Sequence, residues 1–574
     1  MKEKKENRSN REKVFVIGLD GTTFDLIRPW ALEGKLPNLA KIMRTGAYGE
    51  LTSTIPTNSA PAWTSFVTGA NPGRHGILHF KTLGYQTREF MLNRHSRRCK
   101  AIWNILSEQS KKVGIINVPL TYPPEKVNGF LISGMDTPSR SNSFTYPDGL
   151  YKELKEALGD YQIEAHLTDL VRIRNDKDRK RLVDAVMHTT ELRLAATKYL
   201  MDRYSWDFFF VVFMVADRFQ HRFWKYMDST HPHYNVKEAK NFGHVIFEAY
   251  RCLDQIVGEI SSRLDERTTL MIMSDHGFGP APVKYINMNN WLASKGLLHY
   301  KGKDKGEKVF NLRSFTLNQL QLYTPIKLRH YLRRKFRSTV DKFQLSSRFN
   351  GIDWETTQAY SDQHVEIFST IWINLKGREP HGTVAPGSEY ENLRNHIIGL
   401  LKGLKDSEDN QTMVETLYKA EDVFKGEKNN KLPDLMVKWK DDAYRTQSAF
   451  TGTNHSQFIG RIDSRQSSQT ISGEHKKNGI FLIKGPNIKK GHEISGAEIT
   501  DLMPTILYRM GISVPRQVDG QVLADIFEKD YLSSRPVRYD KKDTMLNEEG
   551  KADTFSEAEN KKVRERLVAL GYLE

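Results

Sequence analysis

Short apolar segments alternate along the chain with longer stretches in which apolar residues have helical spacing. The apolar segments are rich in Val, Ile and Phe, and they are Val14 to Leu19, Val113 to Val118, Phe208 to Val215, Thr269 to Met273 and Ile480 to Ile483. Strands without alternating polar positions are typical of a parallel sheet that is covered by helices on both faces. The pattern therefore predicts an α/β fold with a mostly parallel sheet.

The longest apolar run is too short to cross a membrane. It extends over nine residues, from Phe208 to Ala216, whereas a membrane-spanning helix needs about 20. We interpret this run as a buried strand.

The chain has 574 residues, 38% of them hydrophobic, so it can bury a large core and still carry insertions. This size excludes a peptide hormone or a lone binding module.

Changes in composition divide the chain into five regions. They are a charged N-terminal tail at 1–12, the first part of the core at 13–300, an inserted basic cap with edge strands at 301–450, the last part of the core at 451–530, and a charged C-terminal tail at 531–574. A short helix that ends at Gly571 is predicted near the end of this last tail. We expect both tails to be peripheral. Residues 371–374 and 434–437 predict further strands in the insertion or at the sheet edge.

The inserted region contains one basic amphipathic helix, predicted from Ile326 to Arg337. Its apolar face consists of Leu328, Tyr331, Leu332 and Phe336, and the arginines around that face are Arg329, Arg333, Arg334 and Arg337. Such a helix can pack on its own domain as a lid, or it can bind an acidic membrane surface. As a lid it would present these arginines to an anionic substrate.

The charge and the cysteine content narrow the class of partner and the compartment. With 86 Lys and Arg against 70 Asp and Glu, the net charge is +16, which favours anionic partners such as phosphate esters, nucleic acid or acidic lipid. Two cysteines, Cys99 and Cys252, do not form a disulfide framework. The first apolar stretch lacks the features of a signal peptide. We therefore expect a cytoplasmic protein.

Acidic residues stand where three of the apolar runs end. These residues are Asp20, Asp217 and Asp275, and two histidines accompany them, His221 at the fourth position after Asp217 and His276 directly after Asp275. Ligands of α/β sheets bind at the carboxyl ends of the strands, so the carboxylates are expected to converge. Each acid alone could equally cap a helix, and His221 could lie on a helix surface. Together they form a ligand set for Zn²⁺ or Mn²⁺ that is large enough for two ions.

A serine- and threonine-rich segment precedes a predicted helix and offers a nucleophile. It extends from Pro56 to Gly69. The N-terminus of a helix stabilises an anionic or phosphorylated side chain. By composition alone Thr57, Ser59 and Thr64 are all eligible, and each could instead be an ordinary helix cap.

Six motifs in this order resemble those of the alkaline phosphatase superfamily. Within it the chain is most similar to the type I phosphodiesterase/nucleotide pyrophosphatase branch. The motifs are Gly18-Leu19-Asp20-Gly21, Pro56-Thr57-Asn58-Ser59-Ala60-Pro61, Thr68 to Gly76, Asp217-x-x-x-His221, Ser274-Asp275-His276-Gly277, and Gly473-Glu474-His475 followed by Gly479 to Pro486. They span nearly the whole chain apart from its tails.

The resemblance implies two divalent metal ions, Zn²⁺ or alternatively Mn²⁺, and a serine nucleophile. One ion would be held by Asp20, Asp275, His276 and the nucleophile Ser59. The second ion would be held by Asp217, His221 and His475. His455 is a rival for the last ligand, but it lacks the apolar strand that follows His475 and accompanies this ligand in the family. The family mechanism passes through a phosphoserine that water then hydrolyses.

Three departures from the superfamily patterns bear on the substrate. Trp63 stands where sulfatases have the Arg that is needed for formylglycine formation, so sulfatase activity is disfavoured. Ala62 stands where nucleotide pyrophosphatases have an Asn that donates to a phosphoryl oxygen. No Arg directly follows Ser59, so the guanidinium clamp of the alkaline monoesterases is not visible. The missing guanidinium clamp favours diesters.

The sequence therefore predicts a metal-dependent hydrolase of phosphoric esters, most similar to a phosphodiesterase or nucleotide pyrophosphatase, that acts on an anionic phosphate ester. One alternative is a phosphomonoesterase or phosphotransferase of the same superfamily. Another is a basic protein that binds nucleic acid or a membrane surface and keeps a structural metal site.

Overall fold

A computed structural model describes most of the core of this protein. The residues described are 12–82, 90–138, 143–165, 173, 175–301, 349, 351–362, 368–426, 432–446, 458–462, 471–541, 545–546, 555–570 and 572. The predicted cap helix with Arg329, Arg333, Arg334 and Arg337 lies outside the described residues, and so do His455 and nearly all of the N-terminal tail. No described helix is long and apolar enough to cross a membrane.

A nine-stranded sheet forms the centre of the fold. With strands numbered along the whole chain, its members are β1 (Lys13–Leu19), β2 (Ala47–Thr52), β3 (Val113–Val118), β4 (Gly129–Ser133), β5 (Thr145–Tyr146), β6 (Phe208–Phe213), β7 (Thr268–Met273), β17 (Asn478–Lys484) and β18 (His492–Glu498). The strand order is β18-β2-β17-β7-β1-β6-β3-β4-β5. Every residue of β3, β6 and β7 is buried, so both faces are covered. The predicted α/β fold with a mostly parallel sheet is confirmed.

The helices alternate with these strands along the chain. Those of the core are Phe24–Leu32, Pro37–Thr45, Ser59–Thr68, Pro72–His75, Ile102–Glu108, Leu150–Leu158, Asp176–Arg203, Val215–Met227, Val236–Phe242, Val245–Arg263, Leu502–Arg509, Lys529–Ser534 and Glu557–Leu570. Among the described residues between Pro280 and Gly473, three further helices occur, and they are Met288–Ser294, Ser388–Lys402 and Ala420–Val423. Short 3₁₀ turns occupy Arg94–Ser96, Lys440–Asp442, Ile499–Asp501 and Ala524–Ile526.

Strand β17 runs antiparallel to both of its neighbours, β2 and β7. The reason lies in the strands that precede it. Strand β8 (Gly277–Pro280) continues almost directly from β7 and pairs antiparallel with β16 (Gly473–Lys476). The chain therefore runs through β16 and β17 in the direction opposite to that of β7 and β8. The parallel direction expected from the apolar run Ile480 to Ile483 is wrong, because an apolar run records burial and not direction.

The chain between β8 and β16 forms smaller sheets of its own. Strands β10 (Ala359–Tyr360), β11 (Phe368–Ile373), β12 (Val414–Lys419) and β13 (Leu435–Trp439) form an antiparallel sheet with a separate apolar cluster. The strands expected at 371–374 and 434–437 are β11 and β13, and they belong to this sheet and not to the edge of the central one. A further small sheet in this region consists of β9 (Lys284–Ile286), β14 (Tyr444–Thr446) and β15 (Ile459–Arg461). After β16, the strands β19 (Val514–Pro515) and β20 (Tyr539–Asp540) form a two-stranded sheet.

The C-terminal helix is packed into the main core. It extends over Glu557–Leu570, so it begins before the Val563 expected from the sequence. Val563 and Leu567 are fully buried in the main apolar cluster. The expectation that the whole C-terminal tail is peripheral is therefore wrong. The tail is mostly charged, but three of its apolar residues have helical spacing and are buried, which are Val563, Leu567 and Leu570.

Candidate metal centre and nucleophile

Strand register brings the three strand-end acids to one edge of the sheet. In β1, Gly18 lies opposite Val212 of β6 and Met273 of β7, so the three strands end at the same level. Asp20 and Asp275 follow their strands within two residues. The expected strand from Phe208 to Val215 ends at Phe213, and Asp217 lies in the first turn of the helix Val215–Met227. Helical spacing then places His221 one turn further on the same face.

The first cluster consists of Asp20, Asp275 and His276. Their ligand atoms lie within 4.8 Å of one another, and all three side chains are fully buried. The Nε2 atom of His276 is 3.3 Å from Oδ2 of Asp275 and 3.8 Å from Oδ1 of Asp20. This arrangement suits a single divalent cation.

The second cluster consists of Asp217, His221 and His475, again with ligand atoms within 4.8 Å of one another. Oδ1 of Asp217 is 3.3 Å from Nε2 of His221 and 3.4 Å from Nε2 of His475. The rings of His475 and His276 stack with centroids 3.7 Å apart, so the two clusters are adjacent. Strand β16 brings His475 to this position beside Phe278 of β8.

Each of the three carboxylates has one oxygen that is held and one that is left over. Asp20 Oδ2 accepts from Trp63 Nε1 at 2.9 Å, and Asp275 Oδ1 accepts from the backbone N–H of Gly21 at 3.2 Å. Oδ2 of Asp217 accepts from Nη1 of Arg218 at 2.8 Å. The other oxygens, Asp20 Oδ1, Asp217 Oδ1 and Asp275 Oδ2, are buried and accept no hydrogen bond from the described residues. These are the oxygens that face the histidine Nε2 atoms.

The three histidines are oriented in one way. Nδ1 of His276 lies 3.1 Å from the carbonyl oxygen of Gly277, and Nδ1 of His221 lies 3.1 Å from that of Gly473. Nδ1 of His475 lies 3.3 Å from the carbonyl oxygen of Thr57. A carbonyl oxygen only accepts, so Nδ1 donates and a neutral ring presents an Nε2 lone pair to the cluster. Metal-binding histidines are typically fixed in this way.

The electrostatics of the clusters favour a bound cation. Burial raises the pKa of Asp20 well above its usual range, and the charges of Asp275 and Asp217 raise it further. Burial, with the charge of Asp217, raises the pKa of Asp275 to about 7. Burial also lowers the pKa of His276, which keeps its imidazole neutral. Carboxylates this close and this deeply buried need positive charge between them. The residues present therefore fit two metal ions.

Ser59 is the hydroxyl that reaches the first cluster. It begins the helix Ser59–Thr68, whose N-cap is Asn58, and its Oγ is 3.0 Å from Nε2 of His276. The two other candidates bond elsewhere, since Oγ1 of Thr57 donates to the carbonyl oxygen of Thr54 at 3.0 Å and Oγ1 of Thr64 donates to that of Ala60 at 2.7 Å. The structure thus separates three hydroxyls that composition left equivalent.

Sequence reasoning missed three residues that support the site. The sequence marks Trp63 only as a departure from sulfatases, yet its indole holds Asp20. Arg218, adjacent to Asp217 in the chain, donates to that carboxylate. Tyr572 donates to the same oxygen at 3.0 Å from the C-terminal segment. Only Arg218 was recognisable as a neighbour of a candidate ligand, because the other two contacts arise from the tertiary fold.

Gly21 allows the chain after β1 to approach the first turn of the helix Val215–Met227. Its φ is +70°, and an added Cβ would lie 3.1 Å from Cβ of Asp217. Gly34 has a similar φ of +75° but open space around its Cα, so it is a matched control.

Replacing either glycine by alanine strains the backbone by about 1 kcal/mol or more. We expect Gly21→Ala to cost more than Gly34→Ala in urea unfolding, and only Gly21→Ala to weaken binding of Zn²⁺. Equal behaviour of the two variants would contradict this explanation.

The fold and this site are those of a metal-dependent phosphoester hydrolase. A sequence model of the family described as type I phosphodiesterase/nucleotide pyrophosphatase matches residues 14–475. The chain belongs to this family, and it is therefore an enzyme of the phosphoester-hydrolysing class. The resemblance drawn from the motifs is confirmed. A search of the curated proteins gives no match.

Solved structures of low sequence identity are similar to this chain. Phosphonoacetate hydrolase from Sinorhizobium meliloti 1021 in complex with phosphonoformate shares the fold and is 13% identical, with a TM-score of 0.50, over 87% of this chain and 95% of that chain. Murine ectonucleotide pyrophosphatase/phosphodiesterase 5 in complex with AMP is 12% identical, with a TM-score of 0.47, over 90% of this chain and 100% of that chain.

Proposed function

We propose that this protein is a phosphodiesterase that uses two metal ions and forms a phosphoserine on Ser59. The family assignment supports the reaction class. The observation that carries the two-metal assignment is the set of three buried carboxylate oxygens without a hydrogen-bond partner among the described residues, each directed at a histidine Nε2. Such a set would be strongly destabilising without a cation.

The ligands divide between the two clusters. Asp20, Asp275 and His276 would hold one ion, with Ser59 as its further ligand. The second ion would be held by Asp217, His221 and His475. A mixture of carboxylate oxygen and imidazole nitrogen favours Zn²⁺, and Mn²⁺ is the alternative. The expected substrate is an anionic phosphate ester, and a diester is favoured.

Ser59 carries the covalent step in this proposal. When bound, divalent ions would lower the pKa of its hydroxyl and neutralise the charge on the phosphoryl oxygens. The Ser59 Oγ attacks phosphorus, an Oγ–P bond forms, and the bond from phosphorus to the leaving alcohol breaks. Water then attacks the phosphoserine from the side that the alcohol has vacated. The Oγ–P bond breaks, the serine hydroxyl is restored, and a phosphoric monoester is released from a diester.

Two features of the helix that begins at Ser59 support this chemistry. Ser59 begins a ten-residue helix, whose N-terminus favours negative charge. Trp63, one turn later on the same helix, holds Asp20 in place. One short helix thus supports both the nucleophile and a metal ligand, which fixes their separation.

Chelation followed by reconstitution tests the proposed activity. Purified protein is expected to contain about two transition-metal ions per chain, because the proposed ligand set is larger than one ion uses. Hydrolysis of bis(p-nitrophenyl) phosphate should be lost on chelation and return with Zn²⁺ or Mn²⁺. We expect this diester to be hydrolysed faster than p-nitrophenyl phosphate.

The outcomes of that experiment separate the candidate functions. Faster hydrolysis of the monoester would identify a phosphomonoesterase instead. Full occupancy by metal without hydrolysis of either ester would favour a structural metal site in a binding protein. Stable binding of a single ion after reconstitution would contradict the paired site.

A further inference from the structure

The C-terminal segment reaches the second metal cluster through the buried side chain of Tyr572. The helix Glu557–Leu570 is fixed to the body where Nη2 of Arg222 donates to the carbonyl oxygen of Ala569 at 3.0 Å. Beyond the helix, the backbone N–H of Tyr572 donates to the carbonyl oxygen of Leu567 at 2.9 Å and turns the chain inward. Tyr572 is 6% exposed, so this residue is buried.

The hydroxyl of Tyr572 contacts one particular atom of the cluster. It donates to Oδ2 of Asp217 at 3.0 Å, the same oxygen that accepts from Nη1 of Arg218 at 2.8 Å. Oδ1, the other oxygen of Asp217, faces Nε2 of His221 and His475. The two donors therefore take up the outer oxygen and direct the inner one at the position between the histidines.

The ring of Tyr572 is held as firmly as its hydroxyl. The guanidinium carbon of Arg218 lies 4.8 Å from the centre of the ring, and the ring of Phe80 lies 5.0 Å away. The His221 and His475 rings are 6.3 Å and 6.4 Å from it. Arg218 is in turn 3.5 Å from Glu164, so its charge is shared between two acids. Tyr572 and Arg218 thus fix each other as well as Asp217.

We propose that Tyr572 is a positioning residue for the second metal centre, so that the C-terminal segment is a working part of the active site. The inference rests on the proposed function, since it assigns Asp217 to a metal ion. Partners that hydrogen-bond to a metal ligand set its orientation, and their loss typically weakens metal binding by about 10- to 100-fold. Without the hydroxyl, Arg218 alone would hold the outer oxygen, and the carboxylate could rotate away from the histidines.

Metal titration of the full chain tests this role with a readout other than turnover. Apoprotein with the substitution Tyr572→Phe keeps the ring and loses only the hydroxyl. We expect one Zn²⁺ to bind as in the wild type and the other about 10- to 100-fold more weakly. Cobalt absorption spectra should change for one of the two ions only. Tyr508→Phe is the control, because Oη of Tyr508 donates to the carbonyl oxygen of Arg535 at 2.6 Å and does not contact either cluster.

A chain that ends at Leu570 provides the second variant, since it keeps the helix and removes the whole segment that reaches Asp217. It should lose the same Zn²⁺ at least as severely. If the wild type binds two ions and both variants bind them with unchanged affinity, Tyr572 has no positioning role, whereas the proposed function stands. If the wild type itself binds fewer than two ions, the proposed function fails first. Higher turnover of the truncated chain with intact metal binding would overturn the inference in favour of an inhibitory segment.

Discussion

Replacing Ser59 by alanine is expected to lower kcat for bis(p-nitrophenyl) phosphate by about 10³-fold or more, because the proposed reaction loses its nucleophile. Both metal clusters keep their carboxylates and imidazoles, so the variant should still bind close to two ions. Steady-state kinetics and metal analysis on the same preparation measure both quantities.

Thr64→Ala is the matched control for this substitution. Thr64 lies on the same helix, is also buried in the core, and donates its hydroxyl to the helix backbone at Ala60. Its loss is expected to leave kcat nearly unchanged. Near-wild-type turnover in Ser59→Ala would exclude the covalent step and would favour direct attack by water.

Neutralising one acid in each cluster should weaken the binding of a different metal ion in each variant. Asp275→Asn is expected to weaken the ion held with Asp20 and His276, and Asp217→Asn the ion held with His221 and His475. Each substitution removes the negative charge of a ligand and replaces one of its two oxygens by an NH2 group, so the loss should exceed the ~10- to 100-fold effect of an outer partner, and turnover should fall with it. Zn²⁺ titration of the two apoproteins measures the defects.

Asp254→Asn controls for the loss of a buried acid as such. Asp254 is 2% exposed and accepts hydrogen bonds from the backbone of Asn38 and Leu39, outside both clusters. We expect it to affect stability but not the number of ions bound. Simultaneous loss of both ions in either cluster variant, with the fold intact, would show that the ions share one site.

The sequence was most informative where residues lie at strand ends. Asp20, Asp217 and Asp275 are recognisable because apolar runs end at them, and parallel strands bring such positions to one edge. His221 follows from helical spacing. His475 requires the family motif, because its position depends on the antiparallel pairing of β8 with β16, which the apolar pattern does not encode.

The supporting contacts could not be predicted in the same way. Trp63 and Tyr572 are far from the acids that they hold, 43 residues from Asp20 and 355 residues from Asp217. No local pattern links such positions. The composition of the tail that contains Tyr572 is also misleading, because many charged residues surround a few buried apolar ones.

Anomalous scattering at the zinc absorption edge, from crystals of the reconstituted protein, tests the two-metal assignment most directly. We expect two strong peaks per chain, one among Asp20, Asp275 and His276 and the other among Asp217, His221 and His475. A single peak, or peaks away from these residues, would contradict the assignment.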